Sequence, residues 1–284
     1  MTGPRGTPRV RKRERGGLKI DLMQIAALAV VQGVTEFLPV SSSGHLVLIG
    51  HLIGVSGPQL AMDVALHVGT LLAVLLVFRA DVRAMARGAF DLAKGAHTPG
   101  AALLLRLVVA TLPMLPAGLL GRDLLVEHGR SIATVAGATM VFGIVLYLSD
   151  RREGRRAIEK MTLLDALLIG CAQMLAFIPG TSRSGIVLTA ALFLGFRRED
   201  ATRFAMLTAI PTLVAAGTLL AAGGLAPSDS LDWGGLATGA ALAFVSAVLA
   251  IWGLLAWVRR ASLTVFMVYR LVLGCALFLL LAWS

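Results

Sequence analysis

The sequence predicts an all-α polytopic membrane protein made of two inverted-topology repeats. Each repeat is a re-entrant helix hairpin followed by three transmembrane helices, giving about six full spans in all. Three observations carry that expectation. Of 284 residues 57% are apolar and only 15% charged, against about 25% charged in an ordinary soluble domain, and mean hydropathy is +0.83. The basic residues, which give a net charge of +10, stand in short clusters between apolar runs. Cytoplasmic loops of membrane proteins look like this, and a nucleic-acid-binding face does not. The order of apolar runs and polar breaks then restarts half-way along the chain. This composition excludes disorder and a disulfide scaffold. The two cysteines, Cys171 and Cys275, lie in apolar segments and read as small hydrophobes in packed helices.

Residues 1–22 form a basic tail with seven Lys/Arg between 5 and 19. Ala27-Leu28-Ala29 has the form of a signal cleavage site. The apolar run before it is short and holds Asp21 and Gln24, so cleavage is not expected. A start at Met23 is the alternative reading of this end. Repeat 1 covers 23–150 and opens with the re-entrant hairpin 23–54. Residues 23–38 are apolar, Pro39 and Ser41-Ser42-Ser43-Gly44 break them, and 45–54 resume. Neither arm is long enough to span alone. Spans follow at 60–78, with Asp63 and His67 near its start, at 103–120, kinked by Pro113 and Pro116, and at 132–149. Residues 79–100 read as a loop carrying Arg79, Arg83, Arg87 and Lys94.

Repeat 2 covers 151–284. Five basic residues lie between Arg151 and Lys160, and the second hairpin, 163–196, is broken at Pro179-Gly180-Thr181-Ser182-Arg183-Ser184-Gly185. Spans are expected at 204–222, 236–258 and 264–283. Glu199 and Asp200 read as caps of the first of these, and Arg270, inside the last, as a side chain that snorkels to the interface. His51, His97 and His128 stand near loops and are expected in water.

A shift of 141 residues aligns Gln32 with Gln173, Ser41 with Ser182, Ser43 with Ser184 and Gly44 with Gly185. With three spans per repeat, an odd number, the two copies must be inverted. Loops on one side (79–100, 151–160, 197–203, 259–260) hold 14 Lys/Arg, and those on the other (50–60, 121–131, 224–234) hold 2. The first side is therefore cytoplasmic, and both termini and the mouth of the first hairpin face outward. The basic tail conflicts with this, unless the chain starts at Met23 or the tail rests on anionic lipid head groups.

Broken backbone at membrane depth is tolerated only where it is buried in protein or lines a watery cavity. The two hairpin tips are therefore expected to meet. Gln32 and Glu36, at i and i+4, share a helix face, and Ser42 and His45 are at i and i+3 if the helix restarts there. A carboxylate in apolar sequence marks function by default. Together with Arg183, the hydroxyls of Ser41, Ser42, Ser43, Thr181, Ser182 and Ser184, and Gly185 at a helix N-terminus, this set suits phosphoryl transfer. Arg183 would clamp phosphate oxygens. Glu36 would hold a divalent cation with Gln32 as neutral ligand or orienter. A serine or a water would attack phosphorus, with His45 moving the proton. Each has a structural alternative: Glu36 and Arg183 as a packing pair, the serines as N-caps, His45 as a buried hydrogen-bonding side chain, and Asp63 and His67 as structure.

These residues are familiar as a set. Gln32-Gly33-Val34-Thr35-Glu36-Phe37-Leu38-Pro39-Val40-Ser41-Ser42-Ser43-Gly44-His45 and Pro179-Gly180-Thr181-Ser182-Arg183-Ser184-Gly185 closely resemble the two signature stretches of the undecaprenyl-diphosphatase family, of the bacitracin-resistance type. The likeness runs from Met23 to the end. The resemblance implies hydrolysis of undecaprenyl diphosphate to undecaprenyl phosphate and phosphate. That reaction recycles a lipid carrier for peptidoglycan synthesis in the bacterial cytoplasmic (inner) membrane, from a site opening to the periplasmic or outer face. It implies Ser42 as the functional serine, His45 as the functional histidine, Arg183 as the phosphate-binding arginine, and a Mg²⁺ or Ca²⁺ requirement falling on Glu36 and Gln32. Some members have Glu where this chain has Gln32, and many have Gln where it has His67; the role of position 67 stays open. The rival reading is a carrier that passes undecaprenyl phosphate across the bilayer through the same cavity. No nucleic-acid partner is expected, and a homodimer is compatible with the sequence without any motif marking it.

Overall fold

The computed structural model describes residues 21–53, 60–120, 131–152, 154–222 and 232–283. Among the described residues the chain is helical throughout, with one isolated β-bridge between Arg156 and Phe196. The basic tail lies outside them, apart from its last two residues. Helix α1 (Leu22–Thr35) starts under a capping box: the Gln24 N–H donates to Asp21 Oδ1 at 2.7 Å and the Asp21 N–H to Gln24 Oε1 at 3.0 Å. After a turn, α2 (Ser42–Leu52) completes the first hairpin. α3 (Leu60–Val77) follows and bends by 85° into α4 (Arg79–Ala93).

The expected loop at 79–100 is thus mostly helix. Met85 and Gly88 are buried on one face of α4 while Arg79, Arg83 and Arg87 stay exposed. An amphipathic stretch this charged has no apolar run to betray it.

The next span is α5 (Pro99–Thr111) and α6 (Met114–Leu120), broken at Leu112–Pro113 as the missing proline N–H demands. α7 (Ile132–Asp150) closes the first half. The second hairpin is α8 (Leu163–Gln173), tightening to a 3₁₀ turn at Met174–Phe177, and α9 (Arg183–Phe193). The single span expected at 204–222 is two helices, α10 (Arg198–Leu207) and α11 (Ala209–Ala222). Pro211 explains the break, since its ring cannot bond to Leu207 and crowds that carbonyl. Glu199 and Asp200 lie in the first turn of α10 rather than capping it, where their charge suits the helix dipole. α12 (Trp233–Val258) and α13 (Thr264–Trp283) end the chain.

Four segments, Pro99–Gly118, Ile132–Asp150, Trp233–Val258 and Thr264–Trp283, are long and apolar enough to cross a membrane, and the bent α3–α4 pair makes a fifth. The chain is a multi-pass membrane protein. Cys171 and Cys275 are exposed, not packed inside as expected. Cys275 stands on the spanning helix α13, whose outward face meets lipid, which takes a thiol as readily as a protein core does.

α1 runs along α12, and the contact depends on Gly33. A Cβ there would lie 2.0 Å from Ser246 Oγ and 2.5 Å from the Ala243 carbonyl oxygen. This close approach fixes the height and rotation of α1, and so where Gln32 and Glu36 point. Ion pairs tie the basic loops: Arg198 Nε to Asp150 at 2.6 Å, Arg156 to Asp165 at 2.6 Å, and Arg203 to Asp81.

Candidate active site

Both hairpins turn by the same device. Ser41 and Ser182 hold φ of 72° and 71°, the positive-φ residues other than glycine among those described, and they are 141 positions apart. Such backbone costs about 1–3 kcal/mol and persists only where surrounding contacts over-determine it. Ser182 Oγ accepts from the Gly185 N–H at 3.2 Å, and Ser41 Oγ from the Gly44 N–H at 3.4 Å. Gly180 adopts φ 102°, and a Cβ there would strike the Val135 carbonyl oxygen at 2.3 Å.

The tips meet, as the sequence predicts. Ser184 Oγ lies 3.3 Å from the Glu36 carbonyl oxygen and 3.2 Å from that of Leu38, and the Gly180 N–H donates to Ser43 Oγ at 3.0 Å. Arg270 clasps both. It does not snorkel: it is 0% exposed. Its Nε donates to the Thr139 carbonyl at 2.8 Å, Nη1 to Pro39 at 3.3 Å, and Nη2 to Gly180 and Thr181 at 2.9 Å each. Carbonyls left over by the two broken turns hold the guanidinium inside the bundle.

At the junction, Arg183 Nη2 donates to Glu36 Oε1 at 2.9 Å. Gln32 Nε2 donates to Glu36 Oε2 at 3.0 Å, confirming the shared helix face, and Ser42 Oγ donates to the same oxygen at 3.3 Å. Four buried side-chain polar atoms among the described residues lack a hydrogen-bond partner: Gln32 Oε1, Thr181 Oγ1, Arg183 Nη1 and Gln173 Oε1. Three belong to the residues gathered around Glu36 and the second tip. An unpaired buried donor costs about 1–3 kcal/mol, so a free guanidinium N–H beside a hydroxyl and a carboxylate is a place built for an anion.

The other expected residues divide. Ser41, Ser43, Ser182 and Ser184 spend their hydroxyls on the tips themselves, in Oγ–Oγ pairs at 3.1 Å (Ser41–Ser43) and 3.3 Å (Ser182–Ser184). The Gly185 N–H is taken by its cap. His45 makes no hydrogen bond to Ser42 among the described contacts. Its Nδ1–H donates to the Ser41 carbonyl at 2.7 Å, and its Nε2 meets Tyr269 Oη at 2.7 Å, the rings stacked 5.5 Å apart. His67 does reach the junction, its Nε2 3.3 Å from Gln32 Nε2 and 3.9 Å from Glu36 Oε2.

Sequence reasoning missed the clasp by Arg270 and the stacking by Tyr269. The signal for Arg270 was present, since a charge inside a span is expensive unless it faces the protein interior.

This sequence has known relatives. The family profile described as Bacitracin resistance protein BacA matches residues 25–276. The chain belongs to the BacA family. An undecaprenyl-diphosphatase of Roseobacter denitrificans is 47% identical over 262 residues, covering 90% of this chain and 97% of that one. One of Alteromonas mediterranea is 43% identical over 259 residues, covering 90% and 97%. Undecaprenyl-diphosphatase 2 of Stutzerimonas stutzeri is 42% identical over 266 residues, covering 92% and 98%. Both tips lie well inside the span matched by the BacA profile.

Glu36 and Gln32 fit a divalent cation of the kind that BacA resemblance implies. Gln32 is 1% exposed and its Oε1 is a buried acceptor without a donor. The Glu36 carboxylate lies against the other end of the same amide, 3.0 Å from Nε2. One or two such ligands, completed by phosphate oxygens and water, are a usual set for Mg²⁺. A cavity of about 170 Å³ between α3 and α11 is lined by Asp63, Val64, His67, Val68, Leu213 and Gly217, and His67 in its wall touches Gln32 at 3.3 Å.

Proposed function

We propose that this chain is an integral membrane undecaprenyl-diphosphatase, which hydrolyses undecaprenyl diphosphate to undecaprenyl phosphate and phosphate. It thereby recycles the lipid carrier of peptidoglycan synthesis and confers bacitracin resistance. The observation that carries this reading is the buried, unpartnered Arg183 Nη1 at the meeting of the two tips, beside Glu36 and Ser42. The relatives' names agree with hydrolysis and give no support to the carrier reading.

Arg183 Nη1 binds an oxygen of the terminal phosphate while Nη2 keeps its bond to Glu36. Ser42 attacks the terminal phosphorus. An Oγ–P bond forms, the bridging P–O bond breaks, undecaprenyl phosphate leaves, and the hydroxyl proton passes to Glu36. Water then attacks the phosphoserine: a new O–P bond forms, the Oγ–P bond breaks, phosphate leaves, and Glu36 returns its proton to Ser42 Oγ while taking one from the water. His45, held by Tyr269, fixes the Ser41 carbonyl and with it the start of α2, on which Ser42 stands. A divalent cation on Glu36 and Gln32, Mg²⁺ or Ca²⁺, would offset charge on the diphosphate oxygens.

The chain is read as two inverted repeats, 23–150 and 151–284, with α3 and α11 added to the four long spans to make six. The equivalent φ values of Ser41 and Ser182 support that reading, and at the same offset Ser42 corresponds to Arg183, so equivalent positions of the two tips both meet Glu36. The ion-paired basic loops are placed in the cytoplasm and the site opens to the outer face of the cytoplasmic membrane. The cavity beside Asp63 and His67 supports this, since it lies in the half of α3 remote from Arg79.

Phosphate release by the purified chain in detergent tests the activity. Ser42→Ala is expected to lower it by about a hundredfold or more, and label from the terminal phosphate is expected on Ser42 in quenched wild type. Turnover that survives the substitution would remove the covalent step.

A further inference from the structure

His67 is half-exposed at the cavity mouth, and the proposed mechanism gives it no task. Three observations do. Its Nδ1 lies 2.7 Å from the Asp63 carbonyl oxygen, which can only accept, so Nδ1 carries the proton and Nε2 presents a lone pair. That lone pair faces Gln32 and Glu36, with separations of 3.0 Å (Gln32 to Glu36), 3.3 Å (Gln32 to His67) and 3.9 Å (Glu36 to His67). Three side-chain ends so spaced can share one small ion, whose bonds are about 2.0–2.2 Å long. Finally, the amide end of Gln32 facing the other two is its nitrogen, while Oε1 is buried without a partner. A half-turn of the amide exchanges them and presents an acceptor. Among the described residues no three His, Cys, Asp or Glu side chains converge on one point; the set here is one carboxylate, one imidazole and one amide.

We propose that His67 is a nitrogen ligand of the cation site formed with Glu36 and Gln32, so that this chain takes a first-row transition ion in preference to Ca²⁺. The inference rests on the reading above that a cation serves this site. Imidazole suits Zn²⁺, Fe²⁺ and Ni²⁺, whereas carboxylate, carbonyl and water oxygens suit Mg²⁺, Ca²⁺ and Mn²⁺, so a nitrogen ligand tilts the site away from Ca²⁺. The Nδ1–H bond to the Asp63 carbonyl is the outer contact that orients a ligating histidine and fixes its tautomer. The cavity lined by Asp63 and His67 gives the ion its path.

The test uses the purified full chain in detergent with Mn²⁺ as the probe and no lipid substrate. Binding is read from loss of the free-ion magnetic resonance signal, and the ligand from nitrogen modulation of the bound ion's spin echo. Wild type is expected to bind one Mn²⁺ with imidazole modulation, displaced poorly by Ca²⁺. His67→Gln is expected to lose the modulation and weaken Mn²⁺ binding about tenfold or more, with unchanged helicity and melting. His67→Ala should behave alike, which separates lost ligation from a fault of the new amide. Mn²⁺ bound without nitrogen modulation, or with unchanged affinity in both variants, would overturn the proposal. So would wild type that binds no Mn²⁺ yet releases phosphate in EDTA, an outcome that leaves the diphosphatase reading standing. Modulation in a protein that releases no phosphate with any ion would sustain the site and sink that reading.

Discussion

Glu36→Gln is expected to lower phosphate release from undecaprenyl diphosphate by about a thousandfold or more, with little change in melting temperature. The carboxylate is asked to do three things that an amide does not. It accepts the Ser42 hydroxyl at 3.3 Å, it aligns Arg183 at 2.9 Å, and it supplies the charged ligand for a cation. Loss of a general base alone costs about 10²–10⁴, and loss of oriented charge at a phosphoryl group adds to it. The shape of the side chain is kept, so the contacts of α1 with α12 survive. Arg183 loses its anion and is freer to hold the substrate's, so KM should not rise while kcat falls. Steady-state kinetics in detergent check this. A variant whose KM rises at unchanged kcat would mark Glu36 as a binding residue only.

Arg270→Met is expected to unfold the site and to cost activity entirely. The methionine fills the space but leaves the carbonyls of Pro39, Thr139, Gly180 and Thr181 without the guanidinium that joins them. Each buried acceptor left without a donor costs about 1–3 kcal/mol, about 3 kcal/mol or more over these four. For a chain of this size that is a fall in melting temperature of at least about 6 °C. Arg270→Lys keeps the charge, but its compact ammonium cannot fork to four carbonyls on three segments, so it should melt between the two and stay nearly inactive. Thermal unfolding of the three proteins in one detergent decides. A Met variant that melts with wild type would show that the tips hold each other without this clasp.

The local devices of this fold are written where they act. Pro39 and Pro179-Gly180 break the hairpins, Pro113 kinks its span, and the i, i+4 spacing of Gln32 and Glu36 puts both on one face. The meeting of Glu36 with Arg183 follows from a simple constraint, because two charges in apolar sequence must find partners. What the chain hides is remote and made of backbone. Arg270 binds carbonyls 89 to 231 positions away, and carbonyls leave no mark on composition. His45 finds Tyr269 across 224 positions, a partner that its i, i+3 spacing from Ser42 does not announce. The serines are the instructive case. Their run draws the eye as a phosphate cradle, yet Ser41, Ser43, Ser182 and Ser184 each spend a hydroxyl on shaping or joining the tips. The two tip residues that turn to Glu36, Ser42 and Arg183, are equivalent under the 141-residue shift but differ in kind. A search for identities therefore passes over them.

The two tips join through the Glu36–Arg183 pair, and the proposed function requires them to act as one site. The most direct measurement is phosphate release from undecaprenyl diphosphate in a double-mutant cycle of wild type, Glu36→Gln, Arg183→Lys and the double variant, all purified in detergent and matched for folding. Residues acting as one unit predict release by wild type, a loss of about a hundredfold or more in each single variant, and a double variant no worse than the weaker single. No release by folded wild type, or losses that multiply in the double variant, would contradict it.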